Sequence, residues 1–267
     1  MTRFTALVRA AAFFAVFSLG GPAGAQEPVV DGKAALAAAT QAAQAYKDAR
    51  WAFTMTYTEY DAKADEAGEG GVRDADAPPR VYKLRFDPRR AEGERWKVIA
   101  PAPEALSKDE RKSLKKLQAA PTPDEGLIYD GLVDVDDWTL VEETAQTASF
   151  SGALVDPNTP EKIREAMAMT VDVDKAGQFV EAVRVTAVKP FKPAPIAKVT
   201  GLAQRQDYAP LEPGGPVLLR KSETRLSGKA MFQRFAKHTV TTYEDFEQVT
   251  VRQPEAEPSA DGASASK

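Results

Sequence analysis

The chain has 267 residues, of which 28% are charged and 43% hydrophobic, with a formal charge of −4, one histidine and no cysteine. The missing cysteine excludes a disulfide scaffold, a thiolate metal site and a thiol nucleophile, and the acidic balance gives no global attraction to nucleic acid. The length is enough for one large β domain or two smaller ones.

Residues 1–25 read as a cleaved secretory signal. Arg3 and Arg9 precede an apolar run from Ala10 to Leu19, and small residues follow, ending in Ala23-Gly24-Ala25. The run is too short to span a bilayer. Cleavage leaves a chain starting near Gln26 and moves the formal charge from −4 to −6. With no cysteine to carry a lipid anchor and no second apolar segment of membrane length, the expectation is a soluble periplasmic protein that is not integral to the membrane.

From Asp31 to about Arg50 the sequence has high helix propensity with Asp31 as N-cap, and its bulky residues are essentially Leu36 and Tyr46. An alanine-faced helix lies close against another surface while burying little area itself. Next, "WAFTMTYTEY" alternates, with Trp51, Phe53, Met55 and Tyr57 on one side and Ala52, Thr54, Thr56 and Thr58 on the other. A polar, Gly-rich and acidic loop follows. "RVYKLRFDP" then sets Tyr82, Leu84 and Phe86 against Lys83 and Arg85, and "ERWKVIAP" supplies Trp96 and Val98. Ser107 and Glu110 form a capping box for a surface helix running to Gln118, anchored by Leu114 and Leu117.

Strands dominate the second half. "DWTLVEE" and "TASFSGALV" come first, and Thr159-Pro160 opens a short helix. A hairpin turning near Lys175-Ala176-Gly177 follows, with Met167, Met169, Val171 and Val173 on one face. Three long alternating stretches complete the series, separated by "APLEPGG" and by Ser227-Gly228. About ten strands in sequence must curl or close. The segment 253–267 is Pro, Ala, Ser and Glu with nothing to bury and reads as a disordered tail, leaving 26–252 as a single domain.

Catalytic chemistry is sparse. His238 is alone, and no nucleophile elbow, zincin helix or phosphate loop is present. Asp130, Asp134, Asp136 and Asp137 are the best oxygen-ligand cluster, yet they lack the spacing of an EF-hand loop and read as a solvated turn, as Asp172 and Asp174 read as the outer face of a hairpin. No metal, cofactor or enzymatic activity is expected. Between Arg184 and Lys237, eleven Lys or Arg face only Asp207, Glu212 and Glu223, a net of +8. That excess suits either an anionic partner or the solvated faces of soluble strands.

The apolar faces carry the functional expectation. Trp51, Phe53, Met55, Tyr57, Tyr82, Leu84, Phe86, Trp96, Val98, Met167, Met169 and Val171 form one surface if their strands are neighbours. Such faces ordinarily make a packed core. Here the available cover is one alanine helix and two short charged ones, too thin to fill a wide concave sheet, so the concavity is expected to hold an apolar guest.

This layout resembles the periplasmic outer-membrane lipoprotein-carrier (LolA/LolB-like) superfamily. "LSGKAMFQRFAKHTVTTYEDFEQV" is similar to that family's closing strands, including Tyr243, Asp245 and Phe246, and "RFDP…ERWKVIAP" is similar to an uncharacterised exported branch. The resemblance implies a mainly β, α+β fold: a long antiparallel meander forming an open half-barrel, with the N-terminal helix and short helices as a lid over the concave face. It also implies a non-enzymatic carrier or binding protein for acyl chains, lipids or lipoproteins. The alternative is an envelope structural protein that binds a protein partner through its basic C-terminal strands.

Overall fold

The computed structural model describes residues 31–64, 71–73, 77–118, 127–129, 137–153, 159–231 and 233–250. The proposed signal, the tail from 253 and three of the four aspartates of the acidic cluster, Asp130, Asp134 and Asp136, lie outside the described residues.

The first helix, α1 (Gly32–Gln44), begins where the sequence places it. The Asp31 carboxylate accepts from the Lys33 and Ala34 amides at 3.0 and 3.1 Å. It ends earlier than Arg50, because residues 45–47 tighten into i→i−3 hydrogen bonds before the chain turns into a strand.

Strands β1 (Arg50–Tyr60), β4 (Arg80–Phe86) and β5 (Trp96–Ala100) form one antiparallel group. The span read as a plain loop between β1 and β4 contains a two-stranded ribbon, β2 (Ala62–Ala64) with β3 (Gly71–Arg73), which packs against a later strand. Helix α2 (Lys108–Gln118) carries the expected capping box. The Ser107 amide donates to Glu110 Oε2 at 2.8 Å, and the Glu110 amide donates to Ser107 Oγ at 3.3 Å.

Strands β6 (Thr139–Glu143) and β7 (Thr147–Gly152), helix α3 (Glu161–Arg164), and strands β8 (Met167–Asp174), β9 (Phe179–Ala187), β10 (Phe191–Ala194), β11 (Ala197–Pro210), β12 (Val217–Ala230) and β13 (Gln233–Val249) complete the order. Ser227-Gly228 is not a turn. Both residues lie inside β12, and the chain reverses at Met231, three residues on. Gly228 is needed for close approach: a Cβ there would collide with the Lys198 carbonyl oxygen and sit 2.7 Å from the Phe235 ring.

The protein is mainly β. Eleven strands form one open antiparallel sheet in the order β5-β4-β1-β13-β12-β11-β9-β8-β7-β6, with β10 added beside β11. The last strand thus inserts next to the first, and two meanders are joined through the β1–β13 pair. The exposed edges, β5 and β6, are short, which limits edge-to-edge association.

One face of the sheet is covered. Ala35, Leu36 and Ala39 of α1, Leu106 and Leu114 around α2, Leu127, Ile128 and Trp138 join the sheet's apolar side chains in a single core cluster. Gly152 lets Trp138 settle there, since a Cβ at this position would lie 2.7 Å from the indole.

Candidate functional site

Cross-strand register shows what the covered face offers. Directly opposed residues share a face. One row therefore runs Tyr82, Tyr57, Thr241, Ser222, Gln206, Val183, Val171, Phe150 and Leu140 across nine strands. The next row runs Glu59, Thr239, Thr224, Gln204, Val185 and Met169. In these two rows the face is apolar on its two wings and polar where it crosses β11, β12 and β13, although Tyr208, Leu218 and Leu219 elsewhere on β11 and β12 join the core. Alternation within single strands detects the wings, but only the pairing reveals the polar middle.

The twelve candidate groove residues divide accordingly. Trp51, Phe53, Met55, Tyr82, Leu84, Phe86, Met169 and Val171 are packed core, none more than 6% exposed, whereas Tyr57, Trp96, Val98 and Met167 are half-buried. The first wing is an aromatic cluster. The Phe53 ring lies 5.2 Å from Phe86, 5.9 Å from Trp96 and 5.7 Å from Tyr243. Met167, Met169 and Val171 are on β8, five strands away in sheet order, so the twelve do not form one continuous strip.

An apolar cavity of about 320 Å³ lies elsewhere, and none of the twelve lines it. Its roof is Ala39, Ala42, Ala43 and Tyr46 of α1 and the turn that follows. Its floor and walls come from Ile128, Tyr129 and the ends of the β8–β9 and β11–β12 hairpins, including Phe179, Val180 and Val217. The space exists because methyl groups point from the helix where larger side chains would reach the hairpins. No charged residue lines it. The open space beneath the alanine helix thus lies at the hairpin end of the sheet and away from the twelve expected residues.

The roof is fastened at its N-terminus. Glu143 Oε1 accepts from the Gly32 amide at 3.1 Å and from Lys175 Nζ at 2.6 Å, and Lys175 also donates to the Thr144 carbonyl at 3.1 Å. The Lys175 side chain is only 3% exposed. One carboxylate therefore ties the first turn of α1, where the helix dipole favours negative charge, to β6 and to the β8–β9 turn. Sequence reading missed this clip, because its residues are more than a hundred positions apart from the helix they hold.

A second, more polar cleft of about 330 Å³ lies under α2, between Tyr57, Glu59, Tyr82 and Lys237 of the sheet and Ser113, Leu114, Lys116 and Leu117 of the helix. Burial pushes the Tyr57 hydroxyl up to about 12 and raises Tyr82, so both remain neutral hydrogen-bonding groups at any ordinary pH. A third, of about 440 Å³, gathers Arg85, Arg90, Arg95 and Lys97 with Asp87 at the β4–β5 edge.

No family model, curated protein or solved structure matches this chain.

His238 is buried on the opposite face of the sheet. Its Nε2 lies 3.0 Å from Glu223 Oε1 and its ring stacks 5.0 Å from Tyr60. Burial alone would push the Glu223 carboxyl up, yet hydrogen bonds from Arg225, Lys221 and His238 outweigh it and hold the group at about 2. Much of the basic excess is neutralised in the same way: Arg184 pairs with Asp172, Arg205 with Asp207, and Lys189 with Glu165. Among the described residues no group of three or more His, Cys, Asp or Glu is placed to hold a metal ion.

Proposed function

We propose that this protein is a periplasmic, non-enzymatic carrier or binding protein whose α1 cavity takes an acyl chain or a similar apolar tail of a lipid or lipidated protein. The single observation that supports this reading is the uncharged hollow kept open by alanine methyls beneath a clipped helix. Its volume lies at the lower end of the range for small-molecule sites, which suits the end of a chain better than a whole lipid. Each methylene buried contributes about 0.8 kcal/mol before ordering costs, so affinity grows with the length inserted and needs little polar recognition.

In this reading the open sheet is a half-barrel of the lipoprotein-carrier type, and α1 and α2 are separate lids over its two apolar wings. The two polar rows of β11–β13 lie between them, and the guest enters from the hairpin end, where the cavity opens.

The test is ligand occupancy. Native mass spectrometry of protein from a membrane-containing host is expected to show co-purified lipid, and a fluorescent fatty acid is expected to bind the emptied protein. Ala42 is an exposed helix residue at the cavity mouth, so Ala42→Trp should fill the entrance without disturbing the core and weaken fatty-acid binding about tenfold or more. Consistently empty protein, or binding indifferent to Ala42→Trp in a folded variant, counts against the cavity as the site.

A further inference from the structure

We infer that the tip formed by the β10–β11 and β12–β13 turns docks on an anionic lipid bilayer. The inference takes its purpose from the carrier reading, but its observations lie outside the cavity.

Lys198, Lys229 and Arg234 are directly opposed across β11, β12 and β13, and all three are exposed. Like charges in direct register destabilise a sheet. None of the three has an ion pair among the described residues, and exposed Lys192 on β10 adds a fourth cation nearby. Of the other cations of β12, Lys221 and Arg225 are held by Glu223, which is six residues from Lys229 and also engages His238, while Arg220 donates to the Pro210 carbonyl and lies over the Phe246 ring. The basic excess of the C-terminal strands is thus partly neutralised by ion pairs in mid-sheet and left uncompensated at this end.

Among the described residues, two large apolar side chains crown the same tip. Ile196 is 65% exposed and Met231 is 70% exposed, and the two turns are joined by the Met231 amide donating to the Ile196 carbonyl at 3.0 Å. Met231 also holds a positive φ of 49°, a backbone conformation that a side chain of this type rarely adopts. Single apolar residues on turns, ringed by lysine and arginine, match a bilayer interface. The apolar ends reach below the headgroups while the long cationic side chains meet the phosphates. A flat acidic protein surface would satisfy the cations but gain nothing from two projecting apolar tips.

Co-sedimentation of the full-length protein with vesicles tests this. Binding is expected to vesicles of phosphatidylcholine containing phosphatidylglycerol, to weaken with added salt, and to be marginal on phosphatidylcholine alone. The triple variant Lys198→Gln, Lys229→Gln, Arg234→Gln should bind about tenfold or more weakly. The double variant Ile196→Ser, Met231→Ser should lose binding on the same vesicles while retaining fatty-acid uptake measured without vesicles. All substituted side chains are exposed, so melting temperatures should stay near wild type for Ile196→Ser, Met231→Ser and at or slightly above it for the triple variant, which relieves the repulsion between like charges. Equal binding to neutral and anionic vesicles, or no effect of the triple variant, overturns the proposal. So does binding to an acidic polypeptide that matches vesicle binding and ignores Ile196→Ser, Met231→Ser, because the tip would then be a protein-docking patch. Loss of fatty-acid uptake in Ala42→Trp with vesicle binding intact separates failure of the cavity reading from failure of this one.

Discussion

Met169 shows how a residue read as a groove liner acts once its surroundings are fixed. It is 6% exposed and packed in the core, so Met169→Asp places a carboxylate without a partner in an apolar interior. The expected result is a loss of roughly 3 kcal/mol or more, seen in urea melts, with ligand binding lost through unfolding and not through blockage. Glu223 gives the complementary polar case. Its folded-state value of about 2 lies below that of an exposed glutamate, so its network stabilises the protein above about pH 4.5 and that contribution fades as the pH falls toward 2. Glu223→Gln should remove on the order of 2 kcal/mol at neutral pH and flatten the acid limb of the stability profile. An unchanged acid limb in chemical-denaturation curves would show that the hydrogen bonds to Arg225, Lys221 and His238 carry no net stability.

At the scale of elements, α1 depends on its clip. Helix propensity sets where it forms, but with only Gly32, Ala35, Leu36 and Ala39 buried it contributes little area of its own. Glu143→Ala would free the Gly32 amide and leave the buried Lys175 ammonium without its carboxylate, for an expected cost of roughly 2–4 kcal/mol and weaker fatty-acid binding as the roof loosens. Hydrogen exchange should show the α1 amides opening ahead of the sheet in this variant, and equal protection would mean the clip is dispensable. Strand β12 is constrained at Gly228 in a different way. Gly228→Ala forces the β11–β12 pair apart near Lys198 and should lower stability by about 1–3 kcal/mol in thermal melts, whereas a surface loop would tolerate the change.

For the whole molecule, the core cluster runs from Ala35 to Leu219 and takes in both apolar wings together with residues of α1 and α2. A continuous core of this kind should unfold in one transition, with far-UV circular dichroism and tryptophan fluorescence superimposing; separated transitions would indicate two domains. Buried residues of β1 and β8 belong to one cluster although five strand steps separate them, because Tyr208, Leu218, Leu219 and Val183 of the strands between them belong to it as well. No helix among the described residues is long and apolar enough to cross a membrane.

Strong local signals were enough to place many elements from the sequence alone. The Asp31 cap, the Ser107 and Glu110 box, the alternation of β1, β4 and β8 and the turn near Gly177 each depend on neighbours a few residues away, so they are legible before any fold is known. The mainly β character follows from their sum. Register could not be read in the same way, because pairing partners lie up to two hundred residues apart: the insertion of β13 beside β1 decides that Thr241, Ser222 and Gln206 interrupt the apolar face. Which hollow stays open was likewise a tertiary matter. Composition shows that an alanine helix fills space poorly, but only the packing of that helix on two hairpin ends determines where the unfilled space lies.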